Sequence, residues 1–172
     1  MSIMSNESVG SPVQEHPVYI ANDLQWIGGD LETLGNPNNY VNQEGQEIIT
    51  VNDAEIAPWT FTGLPTSQSP KAMIRRSNIQ FMVFYGEEAL EQFREPPRTT
   101  SVILNLPLVI VRGNVPLMSE AKIENFLDFW KGDFIPVSEA SLYYLAEAPV
   151  KLINTSELLY VNTRLIQSYV QA

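Results

Sequence analysis

Few residues in this chain could do chemistry. His16 is the only histidine, and there is no cysteine. Any imidazole base or imidazole metal ligand would have to be that one residue, and thiolate chemistry is excluded altogether. His16 falls in a polar N-terminal stretch, 1–16, that reads as a flexible tail, so no role is assigned to it. Carboxylates are the remaining candidates. Glu120 and Glu124 stand one helical turn apart, with Asp128 and Asp133 further along. Such a set could serve acid–base catalysis or hold a hard divalent cation. Lys122 and Lys131 are interleaved with them, which is the pattern of a solvated amphipathic face, and no calcium-loop spacing is present. Serine and threonine occur without the G-x-S-x-G or S-x-x-K settings that activate a hydroxyl. Gly28-Gly29 lacks the further glycines of a dinucleotide loop and the Lys-Ser or Lys-Thr of a phosphate loop, so it reads as a backbone bend. Arg75-Arg76 is the only basic doublet. It reads as salt bridging to an acidic surface. No catalytic residue, cofactor or metal is expected, and the chain is not expected to be an enzyme.

The balance of charge narrows the partners. Among 172 residues, twenty acidic side chains oppose ten basic ones, a net charge of −10. The acidic residues are dispersed, which favours solubility and disfavours nucleic acid and anionic membrane, both of which need clustered Lys and Arg. The N-terminus lacks the basic start and apolar run of a secretory signal, and no segment is long and apolar enough to span a bilayer. A cytoplasmic protein without membrane insertion is the expectation.

The elements that would position any site recur along the chain. Val18–Leu31 aligns without a gap on Val102–Val115 at an offset of 84; Ile48–Ile56 aligns on Phe134–Leu142 at 86; Ile74–Val83 aligns on Val161–Val170 at 87. The offset grows only where loops fall. Period-two apolar patterns mark these segments as strands, with Val18, Ile20, Leu24 and Trp26 sharing a face and a bend at Gly28-Gly29. The count is four or five short strands per half. Between the second and third strands the halves differ. Residues 35–47 are turn-forming, with Tyr40 and Val41 as apolar anchors. The second half carries a short amphipathic helix capped by Ser119, apolar at Ile123, Phe126, Leu127 and Trp130, and closed by Gly132. Residues 86–94 form one or two helical turns, ended by Pro96-Pro97.

Large apolar residues in unexpected places suggest an interface. Pro58-Trp59-Thr60-Phe61 and Leu142-Tyr143-Tyr144-Leu145 follow matching strands and are bulky on both faces, which leaves two readings open for Trp59, Phe61, Tyr143 and Tyr144: core residues, or, for some of them, a contact between halves or subunits. The run 102–111 is the most apolar in the chain. Pro107 marks an edge or a bulge, and an apolar edge at Val102, Leu104 and Leu106 needs a cover, from a neighbouring subunit or from the other half of the chain.

The second half resembles an uncharacterised family of small bacterial domains of unknown function, about one repeat long. The resemblance covers roughly 102–170 and rests on Ile110-Val111-Arg112-Gly113-Asn114-Val115, a short helix ending near Phe126-Leu127, Phe134-Ile135-Pro136-Val137-Ser138-Glu139-Ala140, and Val161-Asn162-Thr163-Arg164-Leu165-Ile166. It implies no catalytic residues. The first half departs from it, with Ile48-Ile49-Thr50 for Phe-Ile-Pro and Ile74-Arg75 for Val-Asn. By analogy the order of elements is that of a small SH3- or Sm-like barrel. The expected fold is therefore mainly β, a tandem duplication of such a unit: a tail at 1–16, a first repeat at 17–83, a connector at 84–98 and a second repeat at 99–172. The expected role is a non-enzymatic structural protein that self-associates as a ring, filament or other homo-oligomer, or serves as an accessory subunit of a larger complex. The alternative is an Sm-like module that binds a small ligand or RNA.

Overall fold

The computed structural model describes residues 12–118 and 120–172. The chain is mainly β. Among the described residues ten strands form one antiparallel sheet in the order β10-β6-β7-β8-β9-β5-β1-β2-β3-β4. They are β1 (Val13–Asn22), β2 (Gln25–Leu34), β3 (Ile48–Pro58), β4 (Ser67–Arg75), β5 (Ile79–Phe84), β6 (Thr99–Asn105), β7 (Val109–Pro116), β8 (Phe134–Tyr144), β9 (Thr155–Asn162) and β10 (Ser168–Gln171).

The first strand begins earlier than the period-two pattern suggests. Val13–Pro17 pair with Asp30–Leu34 of β2, so the last residues of the presumed tail lie in the sheet. His16 is therefore a buried strand residue, its Nε2 3.1 Å from Gln14 Oε1. Nor do Val18 and Trp26 share a face across one strand. Asn22 Oδ1 accepts hydrogen bonds from the backbone N–H groups of Leu24 and Gln25, and this Asx turn folds the segment into the β1–β2 hairpin. Leu24 is left exposed at the tip, and Val18 and Trp26 enter different cores.

Glycine 29 bends β2 as expected. Its pairing with β3 shifts between Gly28 and Asp30, and a Cβ at Gly29 would lie 2.6 Å from Val51 Cγ1 and 2.7 Å from the carbonyl of Asn52. Only glycine permits this approach. At Gly113 of β7 the register also shifts, and a Cβ would lie 2.5 Å from Val137 Cγ1 and 2.9 Å from the carbonyl of Ser138. Opposite each bend a non-glycine residue adopts positive φ, Asp53 at 49° and Glu139 at 50°. Single 3-10 turns, Arg76–Asn78 and Thr163–Leu165, join β4 to β5 and β9 to β10.

The loops before β3 and β8 depart further from expectation. The first contains a one-turn helix, α1 (Pro37–Tyr40), in place of a turn-forming loop anchored by Tyr40 and Val41. Asn36 caps it by accepting from Asn38 N–H, and Pro37 occupies its first turn. Tyr40 and Val41 fill the core beneath it. The second loop has a 3-10 turn, Ile123–Asn125, followed by α3 (Phe126–Phe129), after the connector helix α2 (Glu87–Glu91). The anticipated cap, Ser119, lies outside the described residues. Asn125 lies off helical geometry at φ −134°, ψ 17°, and Trp130 is extended, which keeps the helix short. Gly132 does not close it; instead it admits Asn42, whose side-chain Oδ1 would be 2.7 Å from a Cβ there.

Two cores lie on opposite faces of the central strands. Phe81 and Val83 of β5 enter one, and Met82 and Phe84 enter the other. Leu159 and Val161 of β9 likewise alternate with Leu158 and Tyr160. Each core borrows from the other half of the chain. Trp26, Trp59 and Phe81 join the core built on β6–β9, while Phe134, Leu158 and Tyr160 join the core built on β1–β5. A half of about 70–80 residues buries little apolar surface by itself, and this exchange enlarges both cores. The result is one continuous sheet, not two separate barrels.

Candidate assembly interface

The two halves of the chain meet at a seam between β5 and β9. β5 pairs with β9 through three residue pairs, Phe81–Val161, Met82–Tyr160 and Val83–Leu159. All four apolar positions Phe81–Phe84 and all of Leu158–Val161 are buried, so both strands carry side chains into both cores. The short pairing is reinforced at its ends by buried amides. Gln80 donates to Asp23 Oδ1 at 2.7 Å and accepts from the backbone N–H of Leu108 at 3.2 Å, tying together the β1–β2 and β6–β7 turns. Asn162 donates to the carbonyls of Ser77 and Ile79. Asn42 makes two 2.8 Å bonds to the backbone of Phe134, donating to its carbonyl and accepting from its N–H. The Tyr160 hydroxyl donates to Asn38 Oδ1 at 2.6 Å, and burial raises its pKa. Satisfying each buried polar group in this way removes the penalty that an unpaired one would impose.

The residues expected at an interface divide into three groups. Trp59 and Tyr144 do meet across the halves, with ring centroids 6.5 Å apart. Trp59 Nε1 donates to the carbonyl of Asn22, and the Tyr144 hydroxyl donates to that of Ile153. Burial raises the Tyr144 pKa. The backbone N–H of Thr60 reaches the carbonyl of Glu147 beside them. Val102, Leu104 and Leu106 are wholly inside a core. The edge expected along β6 does not exist, because β10 of the same chain covers it. Pro107 sits instead in the tight β6–β7 turn, where no ladder donor is required. Phe61 and Tyr143 remain exposed, at 68% and 56%.

The sheet's true edges are β4 and β10, each paired on one side only among the described residues. Sequence reasoning missed their exposed apolar residues, Met73 (67% exposed) and Val170 (53%). The available signal was the alignment of β4 on β9 and of β10 on β5, which sets these two residues against buried counterparts. Pro70 and Lys71 lie at the middle of β4, where they limit indiscriminate pairing.

A cleft of about 360 Å³ opens where the loops of the two halves converge, lined by Arg75, Arg76, Asp133, Asn162 and Arg164 among others. Arg76 bonds Asp133 at 3.0 Å and also donates to the carbonyl of Val41. Arg164 lies 3.4 Å from the same carboxylate, and Arg75 is exposed. Asp133, expected on a solvated helical face, is thus the hub of a cross-half ion pair. Among the described residues no group of three or more His, Asp or Glu side chains is placed to hold a metal ion, and no helix is long and apolar enough to cross a membrane.

His16 supplies a pH dependence. Burial lowers its pKa below the usual 6.5, while Glu88 opposes the shift. The unfolded chain then takes up this proton more readily than the folded one. The His16 contribution to stability is fully present above about pH 6.5 and is lost as pH falls through the lower folded value. Urea unfolding followed from pH 8 to 5 is expected to show this loss, and His16→Gln is expected to flatten that part of the profile.

Compared with protein-family models, with curated proteins and with solved structures, the chain matches none.

Proposed function

We propose that this chain is a non-enzymatic assembly protein, built from two copies of one five-stranded β unit, that associates with further copies of itself. The observation that carries the reading is the place of the two free edges. Within the halves the strand orders are β5-β1-β2-β3-β4 and β10-β6-β7-β8-β9. β4 stands in the first half where β9 stands in the second, and β10 stands where β5 stands in the first. The chain buries β5 against β9, but among the described residues the outer sides of β10 and β4 have no strand partner. A unit whose two edges already fit one another internally carries the means to repeat that contact. Support for two copies comes from the bends at Gly29 and Gly113, the positive φ at Asp53 and Glu139, and the 3-10 turns at Arg76 and Thr163, all at the offsets of the sequence alignment. Light scattering at two widely separated concentrations tests the reading. A defined multiple of 19.4 kDa is expected. A monomer at both concentrations overturns it.

One observation favours a second reading, the binding of an anionic ligand such as single-stranded RNA. Arg75, Arg76 and Arg164 gather in one cleft of an otherwise acidic protein. Under that reading, RNA binds at low salt, binding weakens as salt rises, and Arg75→Ala reduces the salt slope by about one. Absence of binding at about 50 mM salt removes it.

A further inference from the structure

Resting on the assembly reading, we propose that copies join head to tail by β-augmentation, β10 of one chain pairing antiparallel with β4 of the next in the register of the β5–β9 seam. The register follows from residues already paired. Phe81, Met82 and Val83 face Val161, Tyr160 and Leu159. The sequence offset of 87 carries the first three onto Ser168, Tyr169 and Val170 of β10, and the second three onto Ile74, Met73 and Ala72 of β4. The contact therefore sets Ser168 against Ile74, Tyr169 against Met73 and Val170 against Ala72 of the neighbouring copy.

The chemistry of these pairs is that of the seam with its partners exchanged. In the seam a methionine on β5 opposes a tyrosine on β9; across the new contact a tyrosine on β10 opposes a methionine on β4. A thioether against an aromatic ring is favourable in either direction, and pairing on the free edges covers the exposed side chains of Met73 and Val170. Tyr169 is already held in place for this, its hydroxyl donating to the carbonyl of Glu124 and its ring edge-to-face with Phe126 at 4.7 Å. Three pairs suffice within the chain, and β10 has four residues. Pro70 lies beyond the register, so its missing N–H does not interrupt it. The next pair outward sets Gln171 against Lys71 without a charge conflict. Pairing β4 with its own copy about Met73 would instead oppose Lys71 and Arg75 twice, a like-charge arrangement. Because the two edges differ, the contact is heterologous and generates a ring where the rotation closes and a filament where it does not.

Wild type, Met73→Lys, Val170→Lys and an equimolar mixture of the two variants, all as full chains, test this by light scattering. Both substitutions are at exposed positions and are expected to leave thermal unfolding unchanged; Met73→Gln and Val170→Asn serve if either lysine variant melts early. Wild type is expected to assemble, each variant alone to be monomeric, and the mixture to form a 1:1 dimer. The dimer arises because each variant keeps the edge that the other has lost. Variants that keep the wild-type mass overturn the edge contact and leave the assembly reading standing. A variant that dimerises alone shows like edges pairing and overturns the head-to-tail polarity. A mixture that stays monomeric overturns the pairing of these two edges. Monomeric wild type overturns both readings.

Discussion

Phe81→Ala is expected to cost about 4 kcal/mol and to lower Tm by about 10 °C, the larger of the two stability losses predicted here. Phe81 is wholly buried on β5, 6.0 Å from Trp26 and 6.3 Å from Tyr144 between ring centroids. It belongs by chain position to the first half and by contact to the core built on the second. Truncation leaves a cavity between strands that pair on both sides, with little freedom to collapse. Both cores share β5 and β9, so loss at one face is felt at the other. Urea unfolding followed by tryptophan fluorescence and by circular dichroism is expected to give one coincident transition, shifted to lower urea. Two separated transitions would mean that the halves fold independently and that the exchange of core residues contributes little. Phe61→Ala, at an exposed position, is the matched control and is expected to change stability by less than about 0.5 kcal/mol.

The second large effect is expected at Gly113. Gly113→Val is expected to cost about 3 kcal/mol through overpacking. A Cβ at this position meets Val137 Cγ1 at 2.5 Å, the carbonyl of Ser138 at 2.9 Å and the Cα of Ala140 at 3.2 Å. Two of these three neighbours are backbone and cannot turn aside. The cause can be separated by a double-mutant cycle. Val137→Ala removes the side-chain part of the clash, so Gly113→Ala combined with Val137→Ala is expected to be less destabilised than the sum of the two single changes. Additive losses would assign the effect to backbone conformation instead of contact. Gly29, with Val51 Cγ1 at 2.6 Å, is expected to behave alike.

The interface residues divide according to how local their signal was. Trp59 and Tyr144 lie in runs bulky on both faces, a pattern that fits a core and an interface alike. Val102, Leu104 and Leu106 were legible as residues needing cover, but not the cover itself. A four-residue strand, Ser168–Gln171, supplies it from more than 60 residues away. Met73 gave no signal on its own, since a methionine at period two with Lys71 and Arg75 reads as the ordinary surface face of a strand. Only its alignment on Tyr160 hints that an edge lies there. Arg76 reads as salt bridging to an acidic surface and Asp133 as part of a solvated helical face, but no local pattern pairs two residues 57 apart in the chain.

By itself the sequence determined the mainly β class, through period-two runs of Val, Ile and Leu, and the bend at Gly28-Gly29, through its glycine pair. Both are local properties, set by the pleat of a strand and by backbone sterics. It also determined the lack of thiol chemistry, because composition alone decides that. Only the tertiary structure decided that β5 pairs with β9, that His16 lies buried in a strand, that β6 is not an edge, and that the halves share their cores. These are choices among strand partners that present the same alternating pattern. They are settled by which pairing satisfies Gln80, Asn42 and Asn162 and closes both faces at once, a condition that exists only when distant segments meet.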